Sequence, residues 1–351
     1  MLRIALIGAG KTVTVGHAPA LQALHDRFQV VGIADRSPEA LEAAGILLGV
    51  APEHRYHDYR DLLTRETIDV VSIALPHAFH HEVTLAALQA GVHVLTERPL
   101  ALSMRDAEEI IRLAEIQGKL VTVLHYYLYY PPFREAIRQV AAGAIGEPFL
   151  VRCEGVTGGS GPGTATYHPA WHGNQEIAGG GVWIDSGYHN AYLCVSLQGA
   201  AVATVSAQIG TFATELSVDD TAVALLTHRN GSISNVQVAW SVPSGGQRVF
   251  EVYGTEGTLT LDHEGYPLGI FSNATRSWQH PEINLAHAQS FIDFYQALYE
   301  CLRFGAPPPV SHRDALHTLN IVTAGYRASE EGRVETVEDW GTHGSTMEDA
   351  A

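Results

Sequence analysis

The sequence predicts an α/β protein in two parts. An N-terminal doubly wound parallel sheet, the Rossmann arrangement, precedes a C-terminal α+β domain with a large, open, mainly antiparallel sheet. Three observations carry this. The first 125 residues alternate short apolar runs with amphipathic segments, from about Phe149 apolar residues recur at period two, and 351 residues exceed what one hydrophobic core organises.

In the first part the strands fall at Arg3–Ile7, Val30–Ala34, Val70–Ala74, Val92–Thr96 and Leu120–His125. Helical patterns lie between them at Glu39–Leu48, Glu82–Ala90 and Met104–Gln117, the last with Ser103 as its N-cap. The second part reads as strands at Phe149–Val156, Ala203–Ile209, Thr221–Leu226, Ser232–Val238 and Val249–Val252, then helices at Ala286–Arg303 and His312–Glu330. The expected domains are residues 1–125 and 126–343, with the last helix packing back on the N-terminal domain. Residues 344–351 lack an apolar period and are expected to fray.

Composition narrows the partners. With 38 acidic against 21 basic residues the formal charge is -17, which excludes a nucleic-acid footprint and an anionic-membrane binder, since both need clustered cations. Small molecules or copies of the chain itself remain. The opening MLRIALIGAG is a strand entering a glycine turn, and no stretch reaches membrane-spanning length, so the chain is expected to be soluble, unprocessed and cytoplasmic. Cys153, Cys194 and Cys301 are odd in number and form no CxxC pair, which fits buried thiols in a reducing compartment.

Gly8 and Gly10 follow the first strand, where missing side chains let backbone amides and the following helix N-terminus approach a pyrophosphate; Lys11 and Thr12 are counted with them as cofactor-binding candidates. Asp35 closes the second strand, where a carboxylate accepts from the adenine ribose hydroxyls and disfavours a 2'-phosphate, giving NAD. Arg36 follows at once, and its guanidinium keeps NADP open. Gly10-Lys11-Thr12 looks like the end of a P-loop, but the upstream glycine position is Ala5 inside the strand, which excludes nucleotide hydrolysis.

From AFHHEVTLAALQAGVHVLTERPLALSMRDAEEI onward the chain resembles the Gfo/Idh/MocA oxidoreductases, which include inositol and glucose-fructose dehydrogenases, and the resemblance runs nearly end to end. Pro76 and His80 match the family's proline and histidine after the third strand, beside Leu75. Glu97, Arg98 and Pro99 match its Glu-Lys-Pro, and Asp185 and His189 in GGGVWIDSGYHNAYL match its Asp and His four apart. GAIGEP, SVDDTAVALL, VYGTEGTLTL and AGYRASEEGRVETV agree further, in the right order. The resemblance implies a dinucleotide site including Leu75, Pro76, His80, Glu97 and Arg98, a reacting centre with Asp185 and His189, and a homodimer or homotetramer.

Two departures stand out. The segment between Gly10 and His17 is one residue longer than the family's usual spacing, with no small residue three positions after Gly10, so the phosphate turn is expected to be reshaped. Arg98 replaces the family's lysine, and a guanidinium, with a pKa above about 12, cannot act as a general base. Its role narrows to orientation and charge stabilisation, and its planar fork favours a carboxylated polyol.

Hydride transfer from a secondary alcohol requires a group to take the hydroxyl proton, and His189 is the candidate. If Asp185 to His189 is helical, both side chains share a face, and the carboxylate orients the imidazole or holds substrate hydroxyls. His125, Tyr127, Trp171 and His172 are the further substrate candidates, from HYYLYYPP and from a glycine-rich stretch at 158–173 that reads as a mobile lid or a plain connection. Nineteen histidines invite a metal at Asp185, His189, His172, His168 and His125, but no HExxH or CxxC spacing appears and no metal is expected. The reading is therefore an NAD(P)-dependent dehydrogenase or reductase acting on a sugar, sugar acid or cyclitol. An NAD-using hydrolase or eliminase with transient oxidation, and a non-catalytic dinucleotide-binding protein, are the alternatives.

Overall fold

The computed structural model describes residues 1–156, 170–242, 248–283, 285–286 and 288–338. It divides into two compact units, Met1–Tyr129 with Ala286–Ala315, and Tyr130–Leu285 with Leu316–Ala351.

The first unit holds β1 (Leu2–Ile7), α1 (Ala18–Ala23), β2 (Phe28–Ala34), α2 (Pro38–Leu48), β3 (Arg55–Tyr56), α3 (Tyr59–Arg65), β4 (Val70–Ile73), α4 (His80–Gln89), β5 (His93–Thr96), α5 (Met104–Gln117) and β6 (Val121–Val123). The strands form one parallel sheet in the order β3-β2-β1-β4-β5-β6. Ile4–Ile7 and Val70–Ile73 are buried throughout, as central strands covered on both faces require. The order reverses between β1 and β4, so the loops leaving Ile7, Ile73 and Thr96 share the carboxyl edge at the switch point where such sheets bind ligands. Ser103 caps α5, its hydroxyl accepting from the Asp106 N–H at 3.1 Å, and left-handed Gly118 ends the helix, which bears out the N-cap reading.

The chain returns to this unit with α9 (Ala288–Phe304), whose buried Phe291, Phe294, Tyr295 and Leu298 pack inward. Each such side chain contributes about 1.5–3 kcal/mol by leaving water.

The second unit contains α6 (Pro131–Ala141), β7 (Pro148–Val156), α7 (Gln175–Ala178), α8 (Tyr188–Gln198), β8 (Val202–Gly210), β9 (Thr221–His228), β10 (Ile233–Ala239), β11 (Arg248–Gly254), β12 (Gly257–His263), β13 (Tyr266–Ser272), β14 (Ser277–Gln279), most of α10 (His312–Glu331), and β15 (Glu335–Thr336). Its nine-stranded sheet runs β14-β13-β12-β11-β7-β10-β9-β8-β15, with β7 and β10 parallel and the remaining pairs antiparallel. Alternation fixes the register: Ala222, Ala224, Leu226, Val236 and Val238 face the core with Val151 and Cys153, and α8 is buried along most of its surface. On the other side of the sheet Val223, Leu225 and Ile233 are 43 %, 48 % and 43 % exposed.

The parallel sheet followed by a mostly antiparallel one matches the sequence reading, but it is α9 that joins the first unit, while most of the last helix, α10, belongs to the second. Helices α3 and α6, the two-residue edge strand β3 and the strands β12–β14 go beyond that reading, because short strands carrying Gly and Thr give little periodic signal. All three cysteines are free thiols, Cys153 and Cys194 buried and Cys301 half-buried. Among the described residues no helix is long and apolar enough to cross a membrane. The 344–351 tail and residues 157–169 of the glycine-rich stretch lie outside the described residues.

Candidate functional site

In the first unit, the turn after β1 is built from two glycines with different reasons to be there. Gly8 has φ +106°, and a Cβ on it would sit 2.1 Å from the Ala74 carbonyl oxygen, so the fold itself demands glycine. Gly10 is exposed with φ outside that region, and a Cβ on it would meet nothing within 4 Å. The protein's own packing gives no reason for glycine at position 10, whereas a pyrophosphate lying against the turn does. Lys11 and Thr12 are exposed at the start of the helical segment that follows.

The helical segment leaving this turn is not regular: Val13–His17 forms a π-turn closed by the Ala18 N–H on the Val13 carbonyl before α1 begins, which houses one residue more than an α-helical turn.

Asp35 directly follows β2, its carboxylate fixed by two backbone donors, Ala9 N–H at 2.6 Å and Ser37 N–H at 2.8 Å. It is thereby tied to the glycine turn, and its remaining lone pairs are where ribose hydroxyls would bind. Arg36 is exposed, with its guanidinium carbon 5.7 Å from the Phe79 ring centroid.

The loops after β4 and β5 are locked together by His80. Fully buried, it places Nδ1 2.7 Å from the Pro99 carbonyl and Nε2 2.8 Å from the Leu75 carbonyl. Burial pushes its pKa down, against the pull of both carbonyls. His80 thus fixes the backbone around Leu75, Pro76, Arg98 and Pro99. Arg98 is half-buried, its Nη1 3.5 Å from His77 Nε2, a long contact in which the imidazole nitrogen must accept because a guanidinium only donates. His125 is fully buried and pushed down to about 3, first by desolvation and then by the Arg98 charge, so its imidazole is neutral. Arg98 is then the fixed positive charge of this trio.

Tyr127 is half-buried with its ring 4.4 Å from that of Tyr126, which stacks at 5.1 Å on Phe291 of α9; Tyr129 packs on Phe294. Tyr126 and Tyr129 are therefore core-facing.

In the second unit, Trp171 and His172 stack at 3.6 Å between centroids within a short turn at Ala170–Gly173. His168 lies outside the described residues. Asp185 sits in a second π-turn, Trp183–Gly187, and His189 in the first turn of α8, so the pair does not occupy a plain α-helix. His189 is 8 % exposed, and its Nδ1 lies 2.7 Å from the Tyr192 hydroxyl, which orients the ring.

Sequence reasoning gave no role to Asp219, which holds this segment. Its Oδ1 accepts from Gly181 N–H at 2.6 Å and Tyr326 O–H at 2.9 Å, its Oδ2 from Trp183 N–H at 2.8 Å, and its carbonyl from Val182 N–H at 2.8 Å. Burial raises its pKa despite these donors. From α10, the Val322 carbonyl accepts Trp183 Nε1–H at 3.0 Å. The signal for Asp219 was an acidic pair at the edge of an apolar strand pattern, where a buried carboxylate must be heavily hydrogen-bonded.

Among the described residues, candidate metal ligands converge at His81, Asp106 and Glu109, whose ligand atoms lie within 4.8 Å of one another. None belongs to the set considered from sequence. His81 Nε2 already pairs with Glu109 Oε2 at 3.2 Å, and Asp106 is in the first turn of α5, where a carboxylate is favoured without a metal.

Comparison with known proteins agrees along the chain. Residues 2–125 match the model of an oxidoreductase family with an NAD-binding Rossmann fold, and residues 133–260 the GFO/IDH/MocA C-terminal domain. D-apiose dehydrogenase of Paraburkholderia graminis is 30 % identical over 349 residues, covering 95 % of this chain and 88 % of that protein. D-glucoside 3-dehydrogenase of Escherichia coli is 27 % identical, covering 95 % and 97 %. The structure of GenD2 from gentamicin A biosynthesis, in complex with NAD, superposes with a TM-score of 0.82 at 26 % identity and covers 96 % of each chain.

Proposed function

The chain belongs to the Gfo/Idh/MocA family of NAD-binding oxidoreductases, and from that premise we propose that it moves a hydride between NAD and a secondary alcohol or ketone carbon of a sugar, sugar acid or cyclitol. The observation that carries the reading is Gly10, a glycine the protein's own packing does not require, beside Asp35 and a helix N-terminus. When bound, the nicotinamide supplies the two-electron acceptor.

The roles divide between the units. In the first, backbone groups around Gly8, Gly10, Lys11 and Thr12 bind pyrophosphate, Asp35 binds the ribose diol, and Leu75, Pro76, His80 and Glu97 shape the nicotinamide end. Arg98 orients the substrate and balances developing negative charge. In the second, His189, its ring oriented by the contact of Nδ1 with the Tyr192 hydroxyl, takes the hydroxyl proton at Nε2, and Asp185 accepts from substrate hydroxyls. Trp171, His172 and Tyr127 are assigned to substrate contact, and fully buried His125 to support behind Arg98. Asp35 favours NAD, with exposed Arg36 leaving some use of NADP.

Gly10→Ala separates cofactor contact from folding. Its apoprotein should keep its stability to within about 0.5 kcal/mol, since the Cβ meets nothing, while NADH binding weakens at least about tenfold. Denaturant melts and fluorescence titration check both, and unchanged NADH binding would remove the phosphate turn from the reading.

The activity itself is tested by NADH formation across inositols, aldoses, uronates and aldonates. Higher kcat/KM on uronates and aldonates is expected from the fixed charge of Arg98. Preference for neutral hexoses or inositols would remove the acid preference and leave the redox reading, whereas product release without net NADH would favour the eliminase alternative.

The open sheet face bearing Val223, Leu225 and Ile233 is assigned to a homodimer or homotetramer. A monomer mass in sedimentation equilibrium would overturn that assignment.

A further inference from the structure

Beneath the glycine turn, within the first unit, lies a buried polar network that the proposed reaction does not use directly. His17 is fully buried. Its Nε2 is 3.1 Å from Glu97 Oε1 and its Nδ1 2.7 Å from the Tyr295 hydroxyl; Ser72 Oγ closes the group at 3.3 Å from Nδ1 and 3.2 Å from Tyr295. A carboxylate only accepts, so Nε2 carries the proton donated to Glu97, while the Tyr295 hydroxyl, against Nδ1, donates to Ser72 Oγ. Burial raises the Tyr295 pKa, which keeps its phenol protonated as that donor.

Four separate elements meet here: the helical segment after the glycine turn, β4, the end of β5, and α9. Phe291 and Tyr295 of α9 present ring edges to His17 at 5.4 and 5.9 Å, and a Cβ on Gly16 would lie 2.5 Å from Phe291. The imidazole therefore has little freedom to turn. A buried His–carboxylate contact is costly where an apolar pair would stabilise the fold as well or better, so stability alone is a poor reason for it. What the network does fix is the carboxylate next to Arg98.

We propose that His17 is a positioning residue for cofactor binding: from beneath the phosphate turn it holds Glu97 so that the Glu97 carboxylate is aimed at the nicotinamide end of bound NAD. The π-turn at Val13–His17 ends on His17, whose ring reaches Glu97. This rests on the NAD reading above.

Two amides separate positioning from packing. Glutamine places its N–H near the Nε2 position and can still donate to Glu97, while asparagine reaches only the Nδ1 position and meets Tyr295. NADH dissociation constants are measured by fluorescence for wild type, His17→Gln, His17→Asn, Glu97→Ala and the His17→Asn/Glu97→Ala double variant, with a thermal melt of each apoprotein. His17→Asn and Glu97→Ala should each weaken NADH about tenfold. His17→Gln should stay within about threefold of wild type, and the double variant should be no worse than the poorer single one, because both changes remove one interaction. Equal binding by the Asn and Gln variants, or effects that multiply in the double variant, would overturn the proposal while leaving the NAD reading intact. Failure of the wild type to bind NADH would overturn both.

Discussion

Replacing His189 with glutamine is expected to lower kcat by about 10²–10⁴-fold, the usual contribution of a positioned general base. NADH affinity should hardly change, because the change leaves Gly8, Gly10 and Asp35, which are assigned to the dinucleotide, untouched. Glutamine preserves size and can still meet Tyr192, but it has no nitrogen lone pair to take the hydroxyl proton. Tyr192→Phe should cost less, about tenfold, since it removes only the group that sets the tautomer. The pH profile supplies the mechanism. Wild-type kcat/KM should fall on the acid side as His189 protonates and can no longer accept, and the glutamine variant should lose that limb. An acid limb that persists unchanged in His189→Gln would assign proton transfer elsewhere.

Gly181→Ala is expected to be the most damaging single methyl addition for folding, at about 3–5 kcal/mol, in the range reserved for a few named mechanisms. The added Cβ would stand 1.8 Å from the Asp219 carbonyl oxygen and under 3 Å from its C and N, all backbone atoms that cannot swing aside. The strand entering β9 would have to retreat, and Asp219 would lose Gly181 N–H, Val182 N–H and Trp183 N–H together. Buried donors left without acceptors add their desolvation cost. Urea unfolding should show a large fall in midpoint, in contrast to Gly10→Ala. A midpoint within experimental error of wild type would mean that the clamp is not as tight as these distances require.

Much of this was legible because it is local. Gly8 and Asp35 depend on one strand end each, and the change from blocky apolar runs to period two marks where parallel strands give way to a sheet with one open face. Ser103 and the bounds of α5 followed from a capping residue and a helical period. The His17–Glu97–Tyr295 network was not legible, since its members are 80 and 278 positions from His17 and only α9's return to the first unit brings the last one in. Asp219 was missed for a related reason: its partners are mostly backbone N–H groups, which every sequence has. The π-turns escaped because periodicity assumes one helical pitch; the interval between Gly10 and His17 was the one trace of the first.

That trace bears on how chains of this kind are compared. A π-turn is an α-helix carrying one residue too many, and an extra residue inside an ordinary helix would rotate everything after it by about 100°. Here Val13–His17 absorbs that rotation, so Ala18, Ala20 and Leu21 of α1 keep their buried facing. When this chain is aligned with a relative one residue shorter, the gap therefore belongs within residues 13–17, not between the glycines. Placed upstream, it would pair Gly10 with the wrong neighbour and make an intact phosphate turn look degenerate.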